Sequence, residues 1–186
     1  MGKKVGITVV VVVLIGLICG YYFYLSNKTT NEDNVEITAV SNVLLRKMDT
    51  NYPPTPKEVV KYYSDIMKVV YNENYSDEQF AQLADRMLEL YDEDLAAINE
   101  RDYYLLSLKK DVDEYAKNGY TIVSYSTSSS TDVVFDTVGG RECAKMYCSY
   151  SIKTGAEYKT SQVVYELRKE KSTGHWKILG FETITE

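Results

Sequence analysis

The amino-acid sequence predicts an α+β protein: an N-terminal transmembrane helix, then three helices packed on a curved antiparallel sheet of about four to five strands. Three observations predict it. An apolar run without a single charge opens the chain, from Val5 to Leu25. Apolar residues then recur at spacings of three and four up to Gly119, the period of a helix with one apolar face. Beyond Gly119 the period falls to two, that of a strand with one buried face. The expected divisions are a cytoplasmic tail (1–4), a transmembrane helix (5–25), a linker (26–51) and an extracellular domain (52–186).

The run from Val5 to Leu25 has Thr8 as its only non-aromatic polar side chain. As a helix it would extend roughly 31 Å, the thickness of a bilayer core. Lys3 and Lys4 precede it, whereas Lys28, Glu32, Asp33 and Glu36 follow with an acidic balance. The positive-inside rule then puts the N-terminus in the cytoplasm and the remainder outside the cell. Tyr21, Tyr22, Phe23 and Tyr24 would form an aromatic belt at the outer interface. The run exceeds the usual apolar core of a signal peptide, and no small-x-small cleavage site follows it, so it reads as a single-pass signal-anchor. Gly16 and Gly20 stand four apart, a spacing that would let two such helices approach and form a homodimer.

The linker carries Asn, Thr and acidic residues, and Pro53-Pro54 marks its end. Thr55-Pro56-Lys57-Glu58 opens the first helix, with Thr55 as cap and Pro56 in the first turn. Its apolar face is Val59, Val60, Tyr63, Ile66, Met67 and Val70. Ser76-Asp77-Glu78-Gln79 is a capping box for the second, which shows Phe80, Leu83, Ala84, Met87, Leu88 and Tyr91 on one side. Asn99 to Asp102 opens the third, with Leu105, Leu108, Val112 and Tyr115, and Gly119 closes it. Leu95 and Ile98 are expected to plug the corner between the second and third helices.

Strands are expected over 121–126 and 132–136, then over 141–153, where Ala144, Met146, Cys148, Tyr150 and Ile152 alternate with polar neighbours. Thr154-Gly155 turns the chain into a strand over 158–171, with Val163, Tyr165 and Leu167 inward. The last strand, 175–184, shifts its apolar phase from Trp176 and Ile178 to Leu179 and Phe181, which predicts a bulge near Gly180.

Composition excludes one class of function. With 27 acidic against 21 basic residues, net charge −6, the chain has no basic surface to displace counterions from nucleic acid. Tyrosine, at 18 copies against 4 Phe and 1 Trp, suits half-buried sheet faces and pocket walls. Cys143 and Cys148 fall five apart in one strand, on opposite faces and roughly 16 Å apart, beyond disulfide reach. Both read as inert thiols. His175 is the only histidine, too few for a multi-His metal site, and reads as a solvated turn residue. Asp92-Glu93-Asp94 lacks the glycine and distant Glu of a calcium loop and reads as a solvated face. No metal and no cofactor is expected.

The element order from Thr55 to Ile184 resembles the nuclear-transport-factor-two-like superfamily, a cone-shaped α+β fold, over about seven-tenths of the chain. The closing strand Gly174-His175-Trp176-Lys177-Ile178-Leu179-Gly180-Phe181 is similar to the ending common there. Asn51-Tyr52-Pro53-Pro54-Thr55-Pro56-Lys57-Glu58-Val59-Val60 resembles the opening of membrane-anchored proteins of anaerobic Firmicutes. The resemblance implies a cone that holds a pocket, and in enzymes of this fold an Asp or His base beside Tyr donors. Here the inward series Met146, Cys148, Tyr150, Val163, Tyr165 and Leu167 would line such a pocket and supplies tyrosines but no acid. The function expected is therefore a membrane-anchored extracytoplasmic binding or assembly module without catalysis. Its partners would be the membrane, a protein or a small apolar ligand. Two alternatives stand beside it: a component of a cell-envelope assembly resembling type IV secretion, and an isomerase- or cyclase-type enzyme.

Overall fold

A short polar side chain, Thr38, Thr55, Ser76 or Asp92, caps the start of four of the five described helices. In the computed structural model, which describes residues 38–184, five helices precede the sheet. They are α1 (Ala39–Leu44), α2 (Pro56–Asn72), α3 (Asp77–Glu89), α4 (Glu93–Ile98) and α5 (Arg101–Lys117). Thr55 Oγ1 accepts the Glu58 N–H at α2, and Ser76 and Gln79 form a complete capping box at α3. Each such cap is worth about 1 kcal/mol.

The sheet has five antiparallel strands: β1 (Tyr120–Thr127), β2 (Val134–Val138), β3 (Arg141–Thr154), β4 (Glu157–Lys169) and β5 (Trp176–Ile184). Its order is β1-β3-β4-β5, and β2 also pairs with β3. Strands β1 and β2 lie end to end along one side of β3: β1 takes Cys148 to Thr154 and β2 takes Arg141 to Lys145. A 3₁₀ turn, Ser130–Asp132, joins them, so the second strand starts later than the sequence suggests. The expected bulge is present. Ile178 faces Leu167 and Gly180 faces Glu166, which leaves Leu179 as the extra residue.

The core lies between the helices and the sheet face formed by Ala144, Met146, Cys148, Tyr150, Val163, Tyr165, Leu167 and Ile178. Helix α2 supplies Val59, Val60, Tyr63, Ile66 and Val70; α3 supplies Leu83, Ala84 and Met87. Side chains of this size each contribute about 1.5–3 kcal/mol when fully buried.

Three expectations need correction. The first is the helix count, because α1 and α4 join the three predicted helices. Helix α1 falls inside the segment read as a linker, yet Val40, Val43 and Met48 are buried, and the compact unit begins at Thr38. Tyr62 Oη donates to the Val43 carbonyl at 2.9 Å and fastens α1 to α2. The second is the corner: α4 occupies it, with Leu95 half-buried and Ile98 exposed (75 %). The third is the transmembrane helix with its single-pass, signal-anchor topology. Among the described residues no helix is long and apolar enough to cross a membrane. The two longest, α2 and α5 at 17 residues, are amphipathic. Lys61 and Lys68 stand exposed on α2 opposite its buried face, so it packs on a sheet instead of spanning lipid. Lys3, Lys4 and the run Val5 to Leu25 lie outside the described residues.

Two sheet edges are covered by polar groups from elsewhere. The Asn72 side chain takes the place of a neighbouring strand at β1: its Nδ2 donates to Ile122 O (2.7 Å) and its Oδ1 accepts the Ile122 N–H (3.0 Å). Beside β5, Ile178 N–H donates to Leu90 O and Asp92 N–H to Ile178 O, both at 2.8 Å.

Candidate functional site

All six inward residues of the sequence reading stand on the core face, and all are buried: Met146, Cys148, Tyr150, Val163, Tyr165 and Leu167. Strand alternation brings them there, and α2 and α3 close over them. Around them run two rows of hydrogen-bonded hydroxyls. In the first, Tyr165 Oη lies 2.7 Å from Tyr150 Oη, and Tyr150 Oη lies 2.6 Å from Ser64 Oγ, which donates to Val60 O at 2.8 Å. Because Ser64 has one proton and gives it to that carbonyl, Tyr150 must donate to Ser64 and Tyr165 to Tyr150. In the second row Tyr63 Oη is 3.0 Å from Tyr91 Oη, which is 3.2 Å from Tyr104 Oη. Tyr104 ends it with a donation to Met87 Sδ at 3.5 Å. The Tyr63 and Tyr165 rings meet edge to face at 5.9 Å, and Phe181 packs against both.

Burial is the main cause that pushes the phenols of Tyr63, Tyr91, Tyr104, Tyr150 and Tyr165 above the ordinary tyrosine range. It raises the Cys148 thiol as well. At neutral pH the interior is therefore polar but uncharged. On its flank Tyr125 Oη donates to Asp65 Oδ1 at 2.5 Å, and the Tyr125 ring lies 6.3 Å from that of Tyr150.

Asp92 contradicts the reading of its triplet as a solvated face. It is 1 % exposed, caps α4 through the Asp94 N–H, and meets two guanidinium groups. Arg168 Nε donates to Asp92 Oδ2 at 3.0 Å, and Arg168 Nη2 bonds both Asp92 Oδ1 and Asp94 Oδ2. Arg141 Nη2 stands 3.7 Å from Asp92 Oδ2 and its Nη1 donates to Glu93 Oε1. The three carboxylates lie within 4.8 Å of one another, a spacing a cation could use, but two arginines already pair with all three. His175 is no free turn residue: its ring stacks on Tyr52 at 4.0 Å with planes 4° apart.

Cys143 and Cys148 are free, half-buried and buried respectively, on opposite sheet faces as their spacing requires. The outer face of the sheet carries a groove of about 290 Å³ between β2 and β5, with Val134, Val138 and Leu179 among its walls. Sequence reading missed Ser64, Tyr104 and the Asp92–Arg168 pair. Tyr63 and Tyr91 had shown themselves through helical spacing.

Fold and site together define an α+β domain with helices layered on one antiparallel sheet and a tyrosine-filled interior. The chain belongs to the family described as Domain of unknown function (DUF6715), whose profile matches residues 1–181. No curated protein matches it. Among solved structures it is similar to the intermembrane space region of the chloroplast protein ARC6, at 19 % identity and a TM-score of 0.37, covering 72 % of this chain and 97 % of that one.

Proposed function

We propose that this protein is a binding or assembly module that performs no catalysis of its own. One observation carries the reading: each interior hydroxyl row ends on a fixed acceptor, Val60 O or Met87 Sδ. A proton held in such a row has nowhere to go, and phenols raised above their usual range make poor bases at neutral pH. The buried carboxylate, Asp92, is held by arginines and not set against apolar walls, the arrangement that would make it a general base. Recognition then falls to the surface.

The test is a screen of the full chain against ketones and β-keto thioesters, with hydrogen–deuterium exchange next to the carbonyl as readout. No exchange above buffer is expected. Exchange that disappears in Tyr165→Phe or Asp65→Asn would overturn the reading.

A further inference from the structure

Strand β2 differs from the other sheet edges. Among the described residues, no other element bonds its outer side, whereas β1 has Asn72 and β5 has Leu90 to Asp92. Val134, Phe135 and Val138 are 60 %, 60 % and 61 % exposed. No lysine or proline guards the strand, the usual means of keeping such an edge closed.

The hairpin geometry fixes which backbone groups are available. Gly139 and Gly140, with φ of 58° and 72°, form the two-residue turn, and Val138 faces Arg141 directly across it. In such a hairpin the closing pair exchanges both hydrogen bonds, and bonded pairs then alternate. Val138, Asp136 and Val134 therefore bond β3, while Phe135 and Thr137 turn their N–H and C=O outward. The Thr137 N–H confirms this direction, since it reaches the side chain of its neighbour, Asp136 Oδ1, at 2.7 Å.

We infer that β2 accepts an extended segment of a partner protein as a sixth strand, with a lysine or arginine opposite Asp136 and apolar residues on either side. The inference rests on the binding-module reading above. The charge follows from Asp136, which makes no ion pair among the described residues and sits at the centre of the strand. The apolar residues follow from Val134 and Val138, which lie on the same face as Asp136 along the 290 Å³ groove. Opposite Asp136 the new pair would be of the non-hydrogen-bonded kind, whose side chains approach most closely. A second copy of this chain fits poorly, because full overlap of two β2 strands sets Asp136 against Asp136.

The experiment uses the full chain and the probe acetyl-Val-Thr-Lys-Val-Val-amide, followed by backbone amide shifts and titration calorimetry. The expected result is binding that perturbs Phe135 and Thr137. It should weaken by about tenfold or more when the probe is N-methylated at its Thr and at the Val after Lys, the two donors of the added strand. Thr137→Pro should do the same without unfolding the protein, because that N–H bonds no strand; an unchanged melting temperature checks it. Asp136→Lys should reverse the preference toward a probe with Glu in place of Lys. Equal binding of the N-methylated probe would overturn strand addition, as would no binding of the parent probe. Concentration-dependent dimerisation lost in Thr137→Pro would overturn the choice of partner. These failures leave the module reading standing, since a module can bind through another face; catalytic turnover would do the reverse.

Discussion

Residues of one chemical type behave differently here according to what accepts their proton. Tyr165 only donates, so Tyr165→Phe removes one hydrogen bond and should cost about 0.5–1.5 kcal/mol in denaturant unfolding. Tyr150 both donates and accepts, so Tyr150→Phe leaves the Tyr165 hydroxyl without an acceptor and should cost more, about 1–3 kcal/mol. Asp92→Ala leaves Arg168 with Asp94 as its partner and also removes the α4 cap. A loss of about 2–4 kcal/mol is expected from the lost charged hydrogen bond and the lost cap, read as a lower denaturation midpoint. None of these roles was legible in the sequence. Asp92 and Arg168 are 76 positions apart, and the triplet around Asp92 looks like any exposed acidic turn until β4 is folded beside it.

At the scale of elements, spacing revealed what was long and missed what was short. Helices α2 and α3 and strands β3 and β4 each repeat their pattern several times, so periodicity identifies them. Helices α1 and α4 have six residues each, too few turns for an apolar face to repeat. The β5 bulge was legible because adding one residue changes the face of every later side chain. Deleting Leu179, the extra residue, should therefore make the strand regular and leave Phe181 opposite Tyr165, and the variant should keep the sharp amide spectrum of the parent. The segment from α1 to Met48 belongs to the core and not to a tether: Met48→Ala, just beyond the helix, should cost about 2–5 kcal/mol by calorimetry, which a free linker residue would not.

The molecule as a whole is a store of protonated phenols. Eleven tyrosines are pushed above their usual value, chiefly by burial; Tyr71 rises to about 12, with Asp111 adding to the effect. A group whose folded value is raised holds its proton longer in the native state than in the unfolded one. Its contribution is intact below pH 10 and declines as pH climbs from there toward the folded value. Lys177 acts in the opposite sense, since burial lowers it, but it is one group against eleven. The melting temperature should thus be level near neutrality and fall steeply above pH 10, with the tyrosinate absorbance of the eleven raised phenols appearing together with unfolding. Complete tyrosinate absorbance reached at constant melting temperature would contradict the packing of the interior. The abundance of tyrosine was visible in the composition, but the two ordered rows were not, because they join residues from α2, β3, β4 and the α3–α5 region.

The amide of Asn72 carries a further consequence. A single side chain, on the last residue of α2, impersonates a strand. Ends of helices fray first, so a loosened final turn would withdraw the impostor and leave a sticky flank before the rest of the fold gives way. Asn72→Ala should consequently clump on mild warming, at temperatures where its spectrum still looks native.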